Sequence, residues 1–198
     1  KLALEIENAR PLAIGEIGLD RYAGAPDFMR QKEWFEAQLN LAIEFGLPVL
    51  MHVRHAVEDI IQSIRYVQGR HGKQLIRGIA HAFNGSEQQA RQLAEMGFLL
   101  GFGGTITYEG SRRIRRLAQV LPISCLVLET DAPDMPPSWL RQQRNQSAEL
   151  PRIAESLASL RNIDKELLQE ALWQNACRLF HFDETSRRHD AGAQPDLS

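Results

Sequence analysis

Cysteine is scarce: Cys125 and Cys177 are the only two in 198 residues. Each stands among apolar neighbours, so both read as reduced packing residues, not as a disulfide or a metal pair. No apolar run approaches the ~18 residues that a membrane helix needs, and no signal-peptide pattern is present. The protein is therefore expected to be cytoplasmic, with no membrane partner. An excess of either charge is also missing, since 23 Lys and Arg face 25 Asp and Glu for a net charge of −2. That excludes binding of nucleic acid by bulk positive charge, but leaves room for an enzyme that grips phosphates with local groups or metals. No repeat is strong enough for a solenoid. The glycines between 101 and 104 lack the GKS or GKT ending of a phosphate-binding loop.

What remains is an ordinary globular composition, 43% apolar and 24% charged, long enough for a real core. The opening KLALEIENARP reads as a short helical stretch running into a strand. From there the pattern alternates. Strands are predicted at 12–19, 48–54, 77–83, 98–104 and 125–131, and helices at 27–45, 55–68, after Ser86, and 111–121. Asp27 is placed to cap its helix, Ser86-Glu87-Gln88-Gln89 has the form of a capping box, and Gly69 is placed to close the helix before it. Two further helices, 149–160 and 164–180, complete the domain, taken as residues 1–182. Residues 183–198 are polar and without periodicity and are expected to be a disordered tail. Five short apolar strands separated by helices imply an α/β fold with a parallel sheet.

In such folds chemistry gathers where parallel strands end. The stretch CLVLETDAPDMPP (125–137) raises the question directly, because a buried strand ends in Glu129 and Asp131. A buried carboxylate without a partner costs several kcal/mol, so something must meet these acids. The other strand ends supply Glu16, then His52 and Arg54, then His81, then a glycine run that lets substrate or backbone approach closely. Each histidine alone would be ordinary packing. Together, Glu16, His52, His81 and Asp131 are a donor set for a divalent cation. If Glu129 and Asp131 alternate as strand residues do, they point the same way, and Glu129 lies one layer deeper, where it could orient a ligand. Arg54 is the candidate for phosphate contact. His55, His71, His181 and His189 are read as non-ligands. Arg112, Arg113, Arg115 and Arg116 read as a solvated helix face.

GEIGLD (15–20), MHVR (51–54), HAFNG (81–85), GFGGTITY (101–108), ETDAPDMPP (129–137), RN (144–145) and NACRLF (175–180) together resemble the TatD family of metal-dependent hydrolases. The resemblance implies a TIM-type (β/α)8 barrel and a metal-dependent deoxyribonuclease, cutting DNA from a 3′ end. It implies two divalent ions, of Mg, Mn or Zn. Glu16 would bridge them, His52 and His81 would complete one site, and Asp131 would serve the other and position or deprotonate the attacking water. Two cations held about 4 Å apart stabilise both the attacking and the leaving oxygen of a phosphodiester. A monomer is expected.

The chain departs from that family in two ways. It has no His-x-His, which the family carries on its first strand, and it shows five βα units where a barrel has eight. On this resemblance the first three units are absent, and a chain starting at Lys1 reads as a fragment. One metal site then keeps only Glu16 and Asp131, so the chain is expected to hold one ion well. Two open sheet edges would make the isolated chain fold poorly. The competing readings are a hydrolase of a small amide or ester, and an inactive remnant or binding module.

Overall fold

The computed structural model describes residues 1–22, 27–72, 74–141 and 143–182. The expected disordered tail and His189 lie outside the described residues. A short helix α1 (Leu2–Ala9) opens the chain, closed by Arg10 in the left-handed region at φ 46°. Then follow β1 (Ile14–Asp20), α2 (Phe28–Phe45), β2 (Val49–Arg54), α3 (Val57–Arg70), β3 (Gly78–Ala80), α4 (Glu87–Glu95), β4 (Phe98–Phe102), α5 (Arg112–Val120), β5 (Leu126–Leu128), α6 (Leu150–Arg161) and α7 (Lys165–Phe180).

The local signals act as their chemistry dictates. Asp27 accepts a hydrogen bond from the Met29 N–H at 2.9 Å, and Ser86 and Gln89 form the reciprocal capping box. Phe35, Leu39, Ala42 and Ile43 of α2 are buried, as their spacing on one helical face requires, and Phe28 packs at the edge of that face. Gly69 does not end α3. The helix runs through it to Arg70, because one glycine costs only about 1 kcal/mol there and the buried face of Ile60, Ile64 and Val67 outweighs it.

All strands pair in parallel, in the order β1-β2-β3-β4-β5. An order that advances without a switch point winds every crossover the same way and lays the helices on one side, as a barrel wall does. Among the described residues β1 and β5 each have one strand neighbour. Leu19, Met51, Leu100 and Leu126 from the strands meet Leu39, Ile60, Leu93 and Leu157 from the helices, all fully buried. Cys125 and Cys177 are free and buried. Among the described residues no helix is long and apolar enough to cross a membrane.

Three strands are shorter than their apolar runs predict. β3 stops at Ala80, β4 stops at Phe102 before a single 3-10 turn at Gly104–Thr107, and β5 stops at Leu128. Each is followed by a polar or glycine residue that builds the rim, and His81 and Glu129 still donate a backbone N–H to the neighbouring strand. Glu129 and Asp131 therefore lie beyond the strand, and Asp131 is left-handed at φ 55°, so strand alternation does not govern where they point.

Candidate metal centre

Glu16 owes its direction to an irregularity in β1. Gly15 lies opposite Leu50 and Ile17 opposite Met51, so Glu16 is the extra residue of a bulge. A bulge turns its unpaired side chain out of the regular alternation. That carries the carboxylate over β2, where its Oε1 lies 3.2 Å from His52 Nδ1 and 3.5 Å from His81 Nε2. His81 follows β3, with its backbone N–H still bonded to the Met51 carbonyl at 3.0 Å. Asp131 Oδ1 stands 3.8 Å from the same His81 Nε2. All four residues expected as metal donors thus share one neighbourhood.

Each histidine is oriented from behind by a second carboxylate. Glu129 Oε1 lies 3.1 Å from His81 Nδ1 and also accepts the Ala82 N–H at 2.6 Å. Asp20 Oδ2 lies 3.2 Å from His52 Nε2, and Asp20 Oδ1 accepts the Tyr22 N–H at 2.7 Å. Carboxylates in this position hold an imidazole in one tautomer and raise its basicity toward a cation. Sequence reasoning singled out Glu129 for such a task and missed Asp20, although the acid ends the GEIGLD motif. The glycine run makes the arrangement possible: a Cβ on Gly101 would sit 2.2 Å from Glu129 Oε2, and one on Gly104 would sit 2.5 Å from the Met135 carbonyl.

A second residue outside the expected set is Asn145, only 2% exposed. Its Nδ2 donates to the Thr130 carbonyl at 2.6 Å and to the Asp134 carbonyl at 2.8 Å, and its own N–H donates to the Pro133 carbonyl at 3.0 Å. This one side chain holds the loop that carries Asp131. The advance signal was its place in the RN pair (144–145) of the family resemblance, but no local pattern reveals its burial.

Charge in the centre follows from this crowding. The hydrogen bond to the Glu129 carboxylate lifts His81 to about 9, against burial, with Asp131 and Glu16 adding to the rise. Burial raises the Asp131 carboxyl; His81 pulls it back, while Glu129, Glu16 and Asp134 push it further up. Burial also works to raise Asp20, but the Tyr22 N–H, His52 and Arg54 together hold it below its ordinary value. Acids gathered this closely are relieved by a cation.

A folded-state value of about 9 for His81 lies above the ordinary 6.5. Its contribution to stability is therefore complete below the unfolded value and is lost as pH rises through the folded one. In chelator-treated protein, Glu129→Gln should lower the melting temperature at pH 6, and the gap to wild type should close toward pH 10. A gap that is constant with pH would show that the pair does not exchange its proton in this way.

The residues fit a cation. One donor atom each from Glu16, His52 and His81 lies within 4.8 Å of the others. Donors about 2.0–2.2 Å from a tetrahedral ion are about 3.4 Å apart, so little has to move. Two imidazole nitrogens with a carboxylate suit a divalent ion of borderline or hard character. The group opens into a cavity of about 1060 Å³ that Arg54, His55, Asn84, Arg113, Asp131 and Asp134 also line. Arg54 lays its guanidinium over the Tyr22 ring at 3.8 Å and 4.0 Å from Asp20. His55 is left-handed at φ 55° and lines the cavity, outside the three-donor group. His71 bonds to Asn40 and His181 ends α7, both apart from the centre.

The family model for TatD related DNase matches residues 1–181. The chain belongs to the TatD family of metal-dependent hydrolases. Similar relatives include an uncharacterized metal-dependent hydrolase of Haemophilus influenzae, 36% identical over 185 residues, spanning 90% of this chain and 68% of the relative. YjjV of Escherichia coli, also named an uncharacterized metal-dependent hydrolase, is 37% identical over 179 residues, spanning 90% and 67%. The crystal structure of YjjV, a TatD homologue, superposes with a TM-score of 0.84 at 34% identity, covering 92% of this chain and 69% of that one. A TatD-family hydrolase from Entamoeba histolytica shares the fold, with a TM-score of 0.74 at 20% identity, over 90% and 66%. The fold of this TatD-family chain is therefore the TatD-type TIM barrel, with five of its parallel strands described here. The chain spans about two thirds of the length of these relatives.

Proposed function

We propose that this TatD-family protein is a divalent-metal-dependent deoxyribonuclease that removes nucleotides from the 3′ end of DNA. The observation that carries this reading is the meeting of Glu16, His52, His81 and Asp131 on one wide cavity. At about 1060 Å³ it reaches the top of the ~300–1,000 Å³ range of small-molecule sites, and it is open to a polymer. Its lining mixes the acids of the centre with arginines, which suits a substrate that is anionic along its length.

Glu16, His52 and His81 would hold the ion, and Glu16 with Asp131 would serve a second one. A divalent ion bound there, Mg, Mn or Zn, supplies Lewis-acid stabilisation of phosphoryl oxygens and lowers the pKa of water. The chain's own work is to aim and to move a proton. Glu129 and Asp20 keep the imidazole nitrogens turned toward the centre. Asp131, on a loop braced by Asn145, accepts the proton of the attacking water, and burial, with crowding by Glu129, Glu16 and Asp134, raises its affinity for that proton.

The test uses the full-length protein, metal-loaded or treated with EDTA, and single-stranded DNA labelled at the 5′ end. The expected result is a ladder of products shortened from the 3′ end, seen only with metal. Turnover of a neutral aryl ester or amide with no product from DNA would replace the reading with that of a small-molecule hydrolase.

A further inference from the structure

Arg113 stands apart from the arginines around it. The face of α5 that buries Leu117 presents Arg113 one turn earlier, beyond the apolar core, and so delivers it to the rim of the cavity. Its Nε and one terminal nitrogen donate to Asn84 Oδ1, at 3.1 and 2.6 Å. Asn84 belongs to the loop after β3, so the two elements that flank the cavity hold the guanidinium between them. Arg115, by contrast, spends a donor on the Ile106 carbonyl at 2.6 Å. Arg54 shares the charge of Asp20.

Arg113 is met only by a neutral amide. Among the described residues it has no carboxylate partner, although Glu16, Asp131 and Asp134 line the same cavity. Its Nη1 has no acceptor among the described residues. A planar fork fixed on one edge and free on the other fits a phosphate oxygen pair. Among the described residues Arg113 bonds to none of the four donor residues, although it lines the same cavity.

We propose that Arg113, braced by Asn84, forms an anion subsite for a neighbouring phosphodiester of a polynucleotide. The subsite rests on the phosphodiesterase reading for the nature of its ligand. It makes the protein select a strand with more than one phosphate over an isolated diester.

The experiment measures binding of a fluorescein-labelled phosphorothioate oligothymidylate, anionic and resistant to cleavage, by anisotropy at several salt concentrations. It uses the full-length, metal-loaded protein. Arg113→Gln should weaken binding about tenfold and make the plot of log affinity against log salt shallower by about 0.7, the share of one contact to a single strand. Arg113→Lys should keep that slope while losing part of the affinity. Asn84→Ala should loosen the brace, weakening binding at unchanged slope. An Arg113→Gln variant with wild-type affinity and slope overturns the subsite, and so does an Arg113→Lys variant whose slope falls as far as that of Gln. Melting temperatures measured alongside separate lost folding from lost contact. If wild type cleaves no DNA yet the variants show these binding shifts, the subsite stands and the nuclease reading falls.

Discussion

Glu16→Ala should abolish metal-dependent hydrolysis in the full-length protein, by about 10³-fold or more, a loss near 4 kcal/mol of transition-state stabilisation. The magnitude follows from position. Glu16 Oε1 reaches both histidines, at 3.2 Å from His52 Nδ1 and 3.5 Å from His81 Nε2. Without it, the three-donor group keeps only the imidazoles of His52 and His81, and bound metal should fall with activity. The fold should survive, because the Glu16 side chain is 48% exposed and belongs to a bulge rather than to the core. Metal content by mass spectrometry, melting temperature and hydrolysis rate check the three parts together. Full activity in a folded Glu16→Ala protein would remove this residue from the centre and leave the family assignment untouched.

Asp131→Asn should lower kcat by about 10²–10⁴-fold while the ion held by Glu16, His52 and His81 stays bound. The amide keeps the size of the side chain and loses its capacity to take a proton. Asp131 Oδ1 is 3.8 Å from His81 Nε2, at the edge of the three-donor group rather than within it. The left-handed backbone at residue 131 and the grip of Asn145 on residues 130–135 hold it there. The separation between chemistry and metal binding is the discriminating readout. If metal content falls in step with kcat, Asp131 acts as a ligand alone, and another group handles the proton.

Much of this site was legible in the chain, and the reason is local. A strand of Leu and Val that runs into Glu129 and Asp131 demands a partner for those acids, whatever the rest of the molecule does. Glu16, His52 and His81 on three neighbouring strand segments point to a cation as that partner, although Glu16 and His52 stand within β1 and β2 and only His81 follows its strand. Both acids do reach the same histidine, but strand alternation is not what brings them there. Alternation holds only while the ladder lasts, and β5 ends at Leu128. The two acids still meet His81, but on its two different nitrogens, Nδ1 for Glu129 and Nε2 for Asp131.

The arginines of α5 show the same limit. Four of them in five positions resemble a solvated face, since hydropathy sees only their charge. Two are claimed by the structure: Arg113 by Asn84 at the cavity rim, and Arg115 by a backbone carbonyl. Asp20 and Asn145 were hidden because a bond to a residue 32 positions away, or to a loop that folds back, leaves no periodic trace.

The sequence by itself determined the alternation of strands and helices, the caps at Asp27 and Ser86, and the set of four polar residues that meet at the cavity. These rest on short-range periodicity and on the cost of burying a charge, both of which act within a few residues. Only the tertiary structure decided which nitrogen of each histidine faces the centre, that Asp20 and Glu129 stand behind them, and that Arg113 reaches the cavity. Those outcomes depend on one bulge at Glu16, one left-handed residue at Asp131 and the absence of a side chain at Gly101, where chain segments distant in sequence come within bonding distance.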